Sequence, residues 1–150
     1  MDGIRGYWDG ADIISRHGKK LLLPQWFTVG LPEVPLDGEL WMGLGSWEQL
    51  MALLKCRDLD DTKWTQVGYY VFDLPASVAP FSERVTQLKG IKGLPPHVHL
   101  VDHVLCTGQV HLNKYLRAIS EQGGEGIMVN DPTALYAAFT LSPALLKVKV

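Results

Sequence analysis

Turn-forming residues interrupt this sequence so often that long helices and long strands are disfavoured throughout. Fifteen glycines and nine prolines are distributed over 150 residues, and both residue types favour turns over the interiors of regular elements. The pattern therefore indicates many short elements joined by turns rather than a helical bundle. A chain of 150 residues is long enough to form one domain with a buried core.

Short stretches with strand and helix patterns alternate along the chain. A hairpin is predicted near the start, with its turn at Asp9-Gly10. A helix is predicted after Ser46, because Ser46 and Gln49 form the pattern of a capping box and Leu50, Leu53 and Leu54 follow at helical spacing. Further strands are predicted over residues 36–42, 67–72, 98–105, 127–129 and 145–150, and further helices over residues 82–88 and 110–119. Mixed strands and helices with several hairpin turns predict an α+β domain.

Charge, hydropathy and cysteine content exclude several classes of protein. The net charge of -2 provides no global positive field for nucleic acid, so any DNA contact requires a local basic patch. No apolar stretch approaches the roughly 20 residues of a membrane span, and no signal peptide follows Met1. An intracellular protein without membrane contact is expected, although this sequence would not reveal a leader upstream of Met1. Cys56 and Cys106 fit no metal-binding spacing and no disulfide framework, and are expected to be buried thiols.

Six short polar motifs interrupt otherwise apolar stretches. Burying a lone charge costs several kcal/mol, so such residues usually line a cleft or find a partner. The motifs are Asp2-Gly3-Ile4-Arg5, Ser15-Arg16-His17-Gly18, Asp37-Gly38-Glu39-Leu40-Trp41, Val71-Phe72-Asp73-Leu74-Pro75, Glu125-Gly126-Ile127-Met128 and Leu145-Leu146-Lys147-Val148-Lys149.

These motifs together supply the groups that bind a nucleoside triphosphate. They contribute two carboxylates, one aromatic ring and four cations, namely Glu39 and Glu125, Phe72, and Arg5, Arg16, Lys147 and Lys149. Carboxylates suit a ribose hydroxyl and a Mg²⁺ ion, cations suit phosphates, and a flat ring suits a base. Each motif alone is a weak signal, and the whole set is specific.

In order, spacing and residue identity, the six motifs resemble those of the covalent nucleotidyltransferases. That superfamily comprises DNA ligases, RNA ligases and mRNA capping enzymes. Within that superfamily they are most similar to the minimal bacterial-type ATP-dependent DNA ligases, and the resemblance covers the whole chain. It implies an ATP-grasp-like nucleotidyltransferase core with antiparallel sheets flanked by helices, over residues 1–150. It also implies an enzyme that seals nicked double-stranded DNA through a lysine–AMP intermediate, using ATP and Mg²⁺ or Mn²⁺, and that acts as a monomer.

The resemblance implies a role for each matching residue. Arg5 would contact the ribose or a phosphate of the nucleotide, and Glu39 would bind the ribose hydroxyl. Phe72 would stack on adenine. Glu125 would bind the divalent metal, and Arg16 would hold the 5′-phosphate of the nick. The remaining pair, Lys147 and Lys149, would neutralise the α-phosphate during AMP transfer and so act in catalysis together with Arg5.

The sequence departs from the ligase pattern at four places. The nucleophile motif is K-x-D-G-x-R, and Met1 occupies its first variable position, so the nucleophilic lysine would immediately precede the chain. Leu44 stands where these ligases usually carry arginine, and Thr140 lies near the usual position of an Arg-Ser pair. The OB-fold domain that follows in these ligases would begin after Val150. We therefore expect an adenylation domain that is incomplete at its N-terminus, lacks the OB-fold domain and is inactive as given.

Two other functions fit the same motifs. One is a non-catalytic descendant that binds a nucleotide or nucleic acid with the ligase fold, and the other is an RNA ligase or capping-type transferase. The Asp37-Gly38-Glu39-Leu40-Trp41 and Val71-Phe72-Asp73-Leu74-Pro75 motifs favour a DNA ligase over the second. An in-frame lysine codon directly upstream of Met1 would distinguish an active ligase from the non-catalytic descendant.

Three closely spaced histidines suggest a metal site as a competing interpretation. His97, His99 and His103 form H-x-H-x-x-x-H on a predicted strand, where they could share one face. Because no set of cysteines or carboxylates accompanies them to form a second shell, a solvated strand face is the favoured interpretation.

Overall fold

A computed structural model of the chain describes residues 1–56, 61–137 and 145–149. Its strands are β1 (Ile4–Trp8), β2 (Ile13–Ile14), β3 (Leu36–Trp41), β4 (Gly68–Asp73), β5 (Val98–Leu100), β6 (Gly126–Asn130) and β7 (Leu145–Lys149). Its helices are α1 (Gln25–Thr28), α2 (Trp47–Lys55), α3 (Asp61–Trp64), α4 (Phe81–Lys89) and α5 (Gln109–Glu121). The described helices include none with the length and apolar character to cross a membrane.

The larger sheet has five strands in the order β2-β1-β3-β4-β5. The predicted hairpin forms β1 and β2, and its turn is closed by Asp9, whose Oδ1 accepts hydrogen bonds from the backbone N–H groups of Ala11 and Asp12. All pairs are antiparallel except β4 and β5, which run parallel. Antiparallel sheets were expected. The single parallel pair in this sheet arises because the connection from β4 to β5 contains α4, and such a crossover returns the chain in the same direction.

The hydrophobic core lies on one face of this sheet. Tyr69 and Val71 of β4 are fully buried, and so is Leu40 of β3. Helix α2 supplies Leu50 and Leu53, as its helical spacing predicts. The buried core residues are Trp8, Ile13, Phe27, Leu36, Leu40, Leu50, Leu53, Trp64, Val67, Tyr69, Val71, Leu74, Leu88 and Val98.

The predicted capping box at the start of α2 does not form. Ser46 precedes the helix, but its side chain makes no capping hydrogen bond. The Ser46 hydroxyl instead donates to the backbone carbonyl of Gly43 at 2.6 Å. The helix begins where the sequence predicts, and the polar residue at its start stabilises the preceding turn.

The smaller sheet is the antiparallel pair of β6 and β7, next to α5. Close packing explains Gly126, because a Cβ atom there would overlap the backbone of Val148 and Lys149. Helix α5 covers this sheet incompletely, since none of its residues is fully buried. The mixed sheets and short helices confirm the predicted α+β class.

Candidate nucleotide-binding cleft

Strand register aligns four polar and aromatic residues in one row across the larger sheet. Arg5 pairs with Glu39, Glu39 with Tyr70, and Tyr70 with His99. Because side chains alternate along a strand, this row lies on the face opposite the buried Tyr69 and Val71. The core therefore supports one face of the sheet and leaves the polar row on the other.

Arg5 is held by a buried carboxylate. Its Nε donates to Asp37 Oδ1 at 3.1 Å and its terminal nitrogen donates to Asp37 Oδ2 at 2.5 Å. Asp37 is fully buried and also accepts a 2.6 Å hydrogen bond from the Tyr136 hydroxyl. The hydrogen bond to Asp37 raises the pKa of Arg5 above its usual range, against an opposing effect of burial. The guanidinium is therefore a fixed positive charge, 5.7 Å from the centre of the Phe72 ring.

Asp37 is a residue of this site to which the sequence analysis gave no role. Its motif was noted, but only Glu39 was selected from it. The available signal is its position directly after the apolar Leu36 at the start of a strand, where a buried charge requires a partner. The partner Tyr136 lies 99 residues away, and nothing in the sequence pattern connects the two.

Glu39 is half-buried, and its surroundings control its charge. The backbone N–H of Gly3 donates to its Oε1 at 2.6 Å. Burial raises the pKa of Glu39, while the Gly3 hydrogen bond and the charge of Lys147 lower it by smaller amounts.

The smaller sheet contributes a carboxylate and two cations. Lys147 Nζ lies 3.9 Å from Glu125 Oε2, and both side chains are about half exposed. Lys147 pairs with Met128, and Lys149 with Gly126, so the two lysines point to the same face of the strand pair. Lys147 thus lies beside Glu125, the residue that directly precedes β6.

Arg16 lies apart from the row, in the turn after β2. It is exposed, and the turn is stabilised by the Ser15 hydroxyl, which accepts hydrogen bonds from the backbone N–H groups of His17 and Lys19. Since β2 is an edge strand next to β1, Arg16 occupies the margin of the sheet that carries Arg5. Its position suits a ligand that extends beyond the cleft.

Glu125 is the residue that the sequence analysis assigned to a metal ion. Among residues 1–56, 61–137 and 145–149, no three His, Cys, Asp or Glu side chains cluster in a way that could hold a metal. Mg²⁺ commonly binds one or two carboxylates and completes its coordination with substrate phosphates and water. Glu125, with Lys147 at 3.9 Å, could supply one carboxylate ligand, and the other ligands would have to come from phosphates and water.

The three histidines do not share a solvated strand face. His97 is packed among the rings of Trp26 and Phe27 and donates from Nε2 to the Phe27 carbonyl at 2.6 Å. His99 stacks on Tyr70, with ring centres 4.8 Å apart. His103 lies beyond the end of β5 and packs edge-on against Phe81. The strand ends at Leu100, before the third histidine, so the predicted common face is lost.

The sequence analysis also singled out the two cysteines and two positions that depart from the ligase pattern. Cys56 and Cys106 were expected to be buried and are both exposed, each following or preceding a helix where the chain is at the surface. Leu44, at the position where the resembling ligases carry arginine, is 60% exposed. Thr140 lies outside the described residues.

Comparison with known proteins identifies relatives along nearly the whole chain, although no protein-family model matches it. A DNA ligase of Haemophilus influenzae is 29% identical over 138 residues, which cover 91% of this chain and 51% of that protein. A DNA ligase of Acidianus ambivalens is 28% identical over 141 residues, which cover 88% of this chain and 23% of that protein. The chain therefore spans about half the length of one of these relatives and about a quarter of the other.

Solved structures of DNA ligases superpose on nearly the whole of this chain. A structure from a structure–function study of Lig E DNA ligases superposes with a TM-score of 0.90 and 31% identity, covering 100% of this chain and 59% of that one. The Chlorella virus DNA ligase-adenylate superposes with a TM-score of 0.76 and 22% identity, covering 99% of this chain and 58% of that one.

Proposed function

We propose that this chain binds ATP in a cleft between its two sheets and serves AMP transfer in nick sealing. The premise is that the chain is homologous to DNA ligases and has the fold of an ATP-dependent DNA ligase adenylation domain. The observation that carries the proposal is the group of Arg5, Glu39 and Phe72 on one face of the larger sheet. Arg5 and Glu39 pair across adjacent strands, and Asp37 fixes the Arg5 guanidinium 5.7 Å from the centre of the Phe72 ring.

The larger sheet supplies the groups for the nucleoside. Phe72 is partly exposed on the face of the polar row, and its ring offers a stacking surface for adenine. Glu39 uses Oε1 to accept the Gly3 N–H, and its Oε2 would accept a hydrogen bond from a ribose hydroxyl. Arg5, whose guanidinium lies over the Phe72 ring at 5.7 Å from its centre, would contribute a fixed positive charge to the nucleotide.

The smaller sheet supplies the groups for the phosphates. Lys147 and Lys149 point to one face and would neutralise charge that develops on the α-phosphate. Glu125 would hold a Mg²⁺ or Mn²⁺ ion, which adds positive charge at the phosphates when bound. Arg16, outside the cleft, would hold the 5′-phosphate of nicked double-stranded DNA.

The proposed reaction requires the amine of a nucleophilic lysine at the first position of the motif K-x-D-G-x-R, a role separate from the charge neutralisation assigned to Lys147 and Lys149. That amine would attack the α-phosphorus, forming a P–N bond as the bond to pyrophosphate breaks and the amine loses a proton. The motif K-x-D-G-x-R would put this lysine directly before Met1. Lys19 and Lys20 lie in and after the Arg16 turn and are exposed, so they do not replace it.

The test is a comparison of two polypeptides with labelled ATP and Mg²⁺, followed by denaturing electrophoresis. The chain of residues 1–150 is expected to give no labelled band. The same chain with one lysine placed before Met1, behind a start codon, is expected to give a labelled band. A matched variant with arginine in place of that lysine controls for charge and should remain unlabelled.

Two results would contradict this account. A labelled band from residues 1–150 would mean that another amine is the nucleophile. A chain with the added lysine that binds ATP but stays unlabelled would favour the non-catalytic nucleotide-binding descendant.

A further inference from the structure

Tyr136 connects the segment between the two strands of the smaller sheet to the Arg5 site on the larger one. Its hydroxyl donates to Asp37 Oδ2 at 2.6 Å. The same carboxylate accepts two hydrogen bonds from Arg5, one on each oxygen. Three hydrogen bonds thus converge on one buried carboxylate, and one of them comes from a residue that none of the six motifs contains.

The segment that carries Tyr136 is fixed to helix α4. Arg84 is 3% exposed, and one terminal nitrogen donates to the Ala134 carbonyl at 2.9 Å. The backbone N–H of Phe81 donates to the same carbonyl at 2.9 Å, and that of Ser82 donates to the Pro132 carbonyl at 3.0 Å. The Arg84 guanidinium also lies 5.8 Å from the centre of the Tyr136 ring. These contacts place the Tyr136 ring without using its hydroxyl.

The same arginine holds the residue next to Phe72. Arg84 Nε donates to Asp73 Oδ1 at 2.7 Å, and its second terminal nitrogen donates to Asp73 Oδ2 at 3.2 Å. Asp73 directly follows Phe72 in β4. One side chain of α4 therefore fixes both the end of the strand that carries the stacking ring and the segment that carries Tyr136.

We propose that Tyr136 is a positioning residue of the nucleotide cleft, which orients the Asp37 carboxylate and through it the Arg5 guanidinium beside Phe72. A carboxylate that accepts a planar guanidinium through both oxygens determines the plane of that guanidinium. The Tyr136 hydroxyl determines the orientation of the carboxylate in turn. This inference rests on the proposed ATP site, because it assigns Tyr136 to the orientation of one of that site's ligands.

The test is a double-mutant cycle on ATP binding, measured by calorimetry with the 150-residue chain. Tyr136→Phe removes only the hydroxyl and keeps the ring against Arg84. Arg5→Lys keeps the positive charge and loses the planar fork. We expect Tyr136→Phe to weaken ATP binding about fivefold in the wild-type background and less than twofold in the Arg5→Lys background, since residues in one hydrogen-bond network are not additive. Tyr115→Phe on α5, where the ring lies 6.5 Å from that of His111, is the matched control and should leave the affinity unchanged.

The outcomes separate this inference from the proposed function. An equal loss in both backgrounds, or no loss in either, would overturn the role of Tyr136 while leaving the ATP site intact. A wild-type chain that does not bind ATP would overturn the proposed function and the inference with it. If Tyr136→Phe does not fold, NMR of the wild-type Tyr136 hydroxyl decides. We expect its proton, donated to the buried Asp37 carboxylate, to exchange slowly enough to be observed, and a hydroxyl proton that exchanges as freely as that of the exposed Tyr115 would overturn the inference.

Discussion

At the residue scale, Asp37 is a fully buried carboxylate whose charge is balanced by Arg5. Removing one partner of a buried ion pair leaves the other uncompensated and typically costs 3–5 kcal/mol. Arg5 keeps partial contact with solvent, so we expect Asp37→Asn to lower the free energy of unfolding by about 3 kcal/mol, the lower end of that range. Urea denaturation measures the change.

A matched control for Asp37 exists on the surface of the same sheet. Asp12 pairs with Lys20 at 2.9 Å, and both side chains are well exposed. Exposed pairs contribute about 0–1 kcal/mol, so Asp12→Asn should have little effect. Similar losses for both variants would show that Asp37 is not the buried charge described above.

Glu39 predicts a specific pH dependence of stability. Burial raises its pKa in the folded state, so the folded protein binds the proton more strongly than the unfolded chain does. The resulting contribution to stability is fully present below the unfolded pKa, about 4.3, and is lost as the pH rises through the higher folded value. Glu39→Gln cannot ionise and keeps an oxygen that can accept the Gly3 N–H. The variant should therefore gain stability relative to the wild type as the pH rises.

Urea denaturation of both proteins at a series of pH values from acid to neutral measures this difference. A difference that stays constant with pH, or that moves in favour of the wild type at neutral pH, would contradict the assigned cause. In the same neutral range Glu39→Gln should bind ATP more weakly, because a carboxylate accepts hydrogen bonds more strongly than an amide does.

At the element scale, Ser46 at the start of α2 could either cap the helix or stabilise the turn before it. The sequence pattern predicts a reciprocal capping box between Ser46 and Gln49, whereas the Ser46 hydroxyl donates to the Gly43 carbonyl. Gln49 is exposed. We therefore expect Gln49→Ala to change the free energy of unfolding by less than about 0.5 kcal/mol and Ser46→Ala to reduce it by about 1 kcal/mol, the usual contribution of one hydrogen bond. Equal losses of stability from the two substitutions would support the capping box and contradict the hydrogen bond from Ser46 to Gly43.

Elements whose patterns are local were predicted well, and those that depend on distant partners were not. The β1–β2 hairpin and the start of α2 follow from turn residues and hydrophobic spacing within a few positions. The direction of β5 depends on the crossover through α4. Its end at Leu100 was not predicted, since the apolar pattern continues to Leu105 and β4 extends past the partner of Leu100. Helix α5 has the predicted apolar face and lies next to β6, but none of its residues is fully buried.

At the scale of the whole molecule, the segment after β6 is joined to the larger sheet by the hydrogen bond from Tyr136 to Asp37 and to α4 by the hydrogen bond from Arg84 to Ala134. The sequence motifs identified Glu39, Phe72, Glu125, Lys147 and Lys149 as chemistry-bearing residues. They did not show that the segment before β7 returns to Asp37 through Tyr136 or that α4 holds this segment through Arg84. The two hydrogen bonds join residues that are 50 and 99 positions apart in the chain. The hydrophobic periods of strands and helices, two and 3.6 residues, carry no information about such distant pairs.

The central claim is that the cleft binds ATP with its base on Phe72. The measurement that tests it most directly is calorimetric titration of ATP into the wild type, Phe72→Ala and Tyr115→Ala, where Tyr115 is an exposed ring outside the cleft. Stacking on an aromatic ring contributes about 1–3 kcal/mol, so Phe72→Ala should weaken binding by roughly 5- to 150-fold. Tyr115→Ala should bind as the wild type does. Equal ATP affinities for the wild type and Phe72→Ala would contradict the claim.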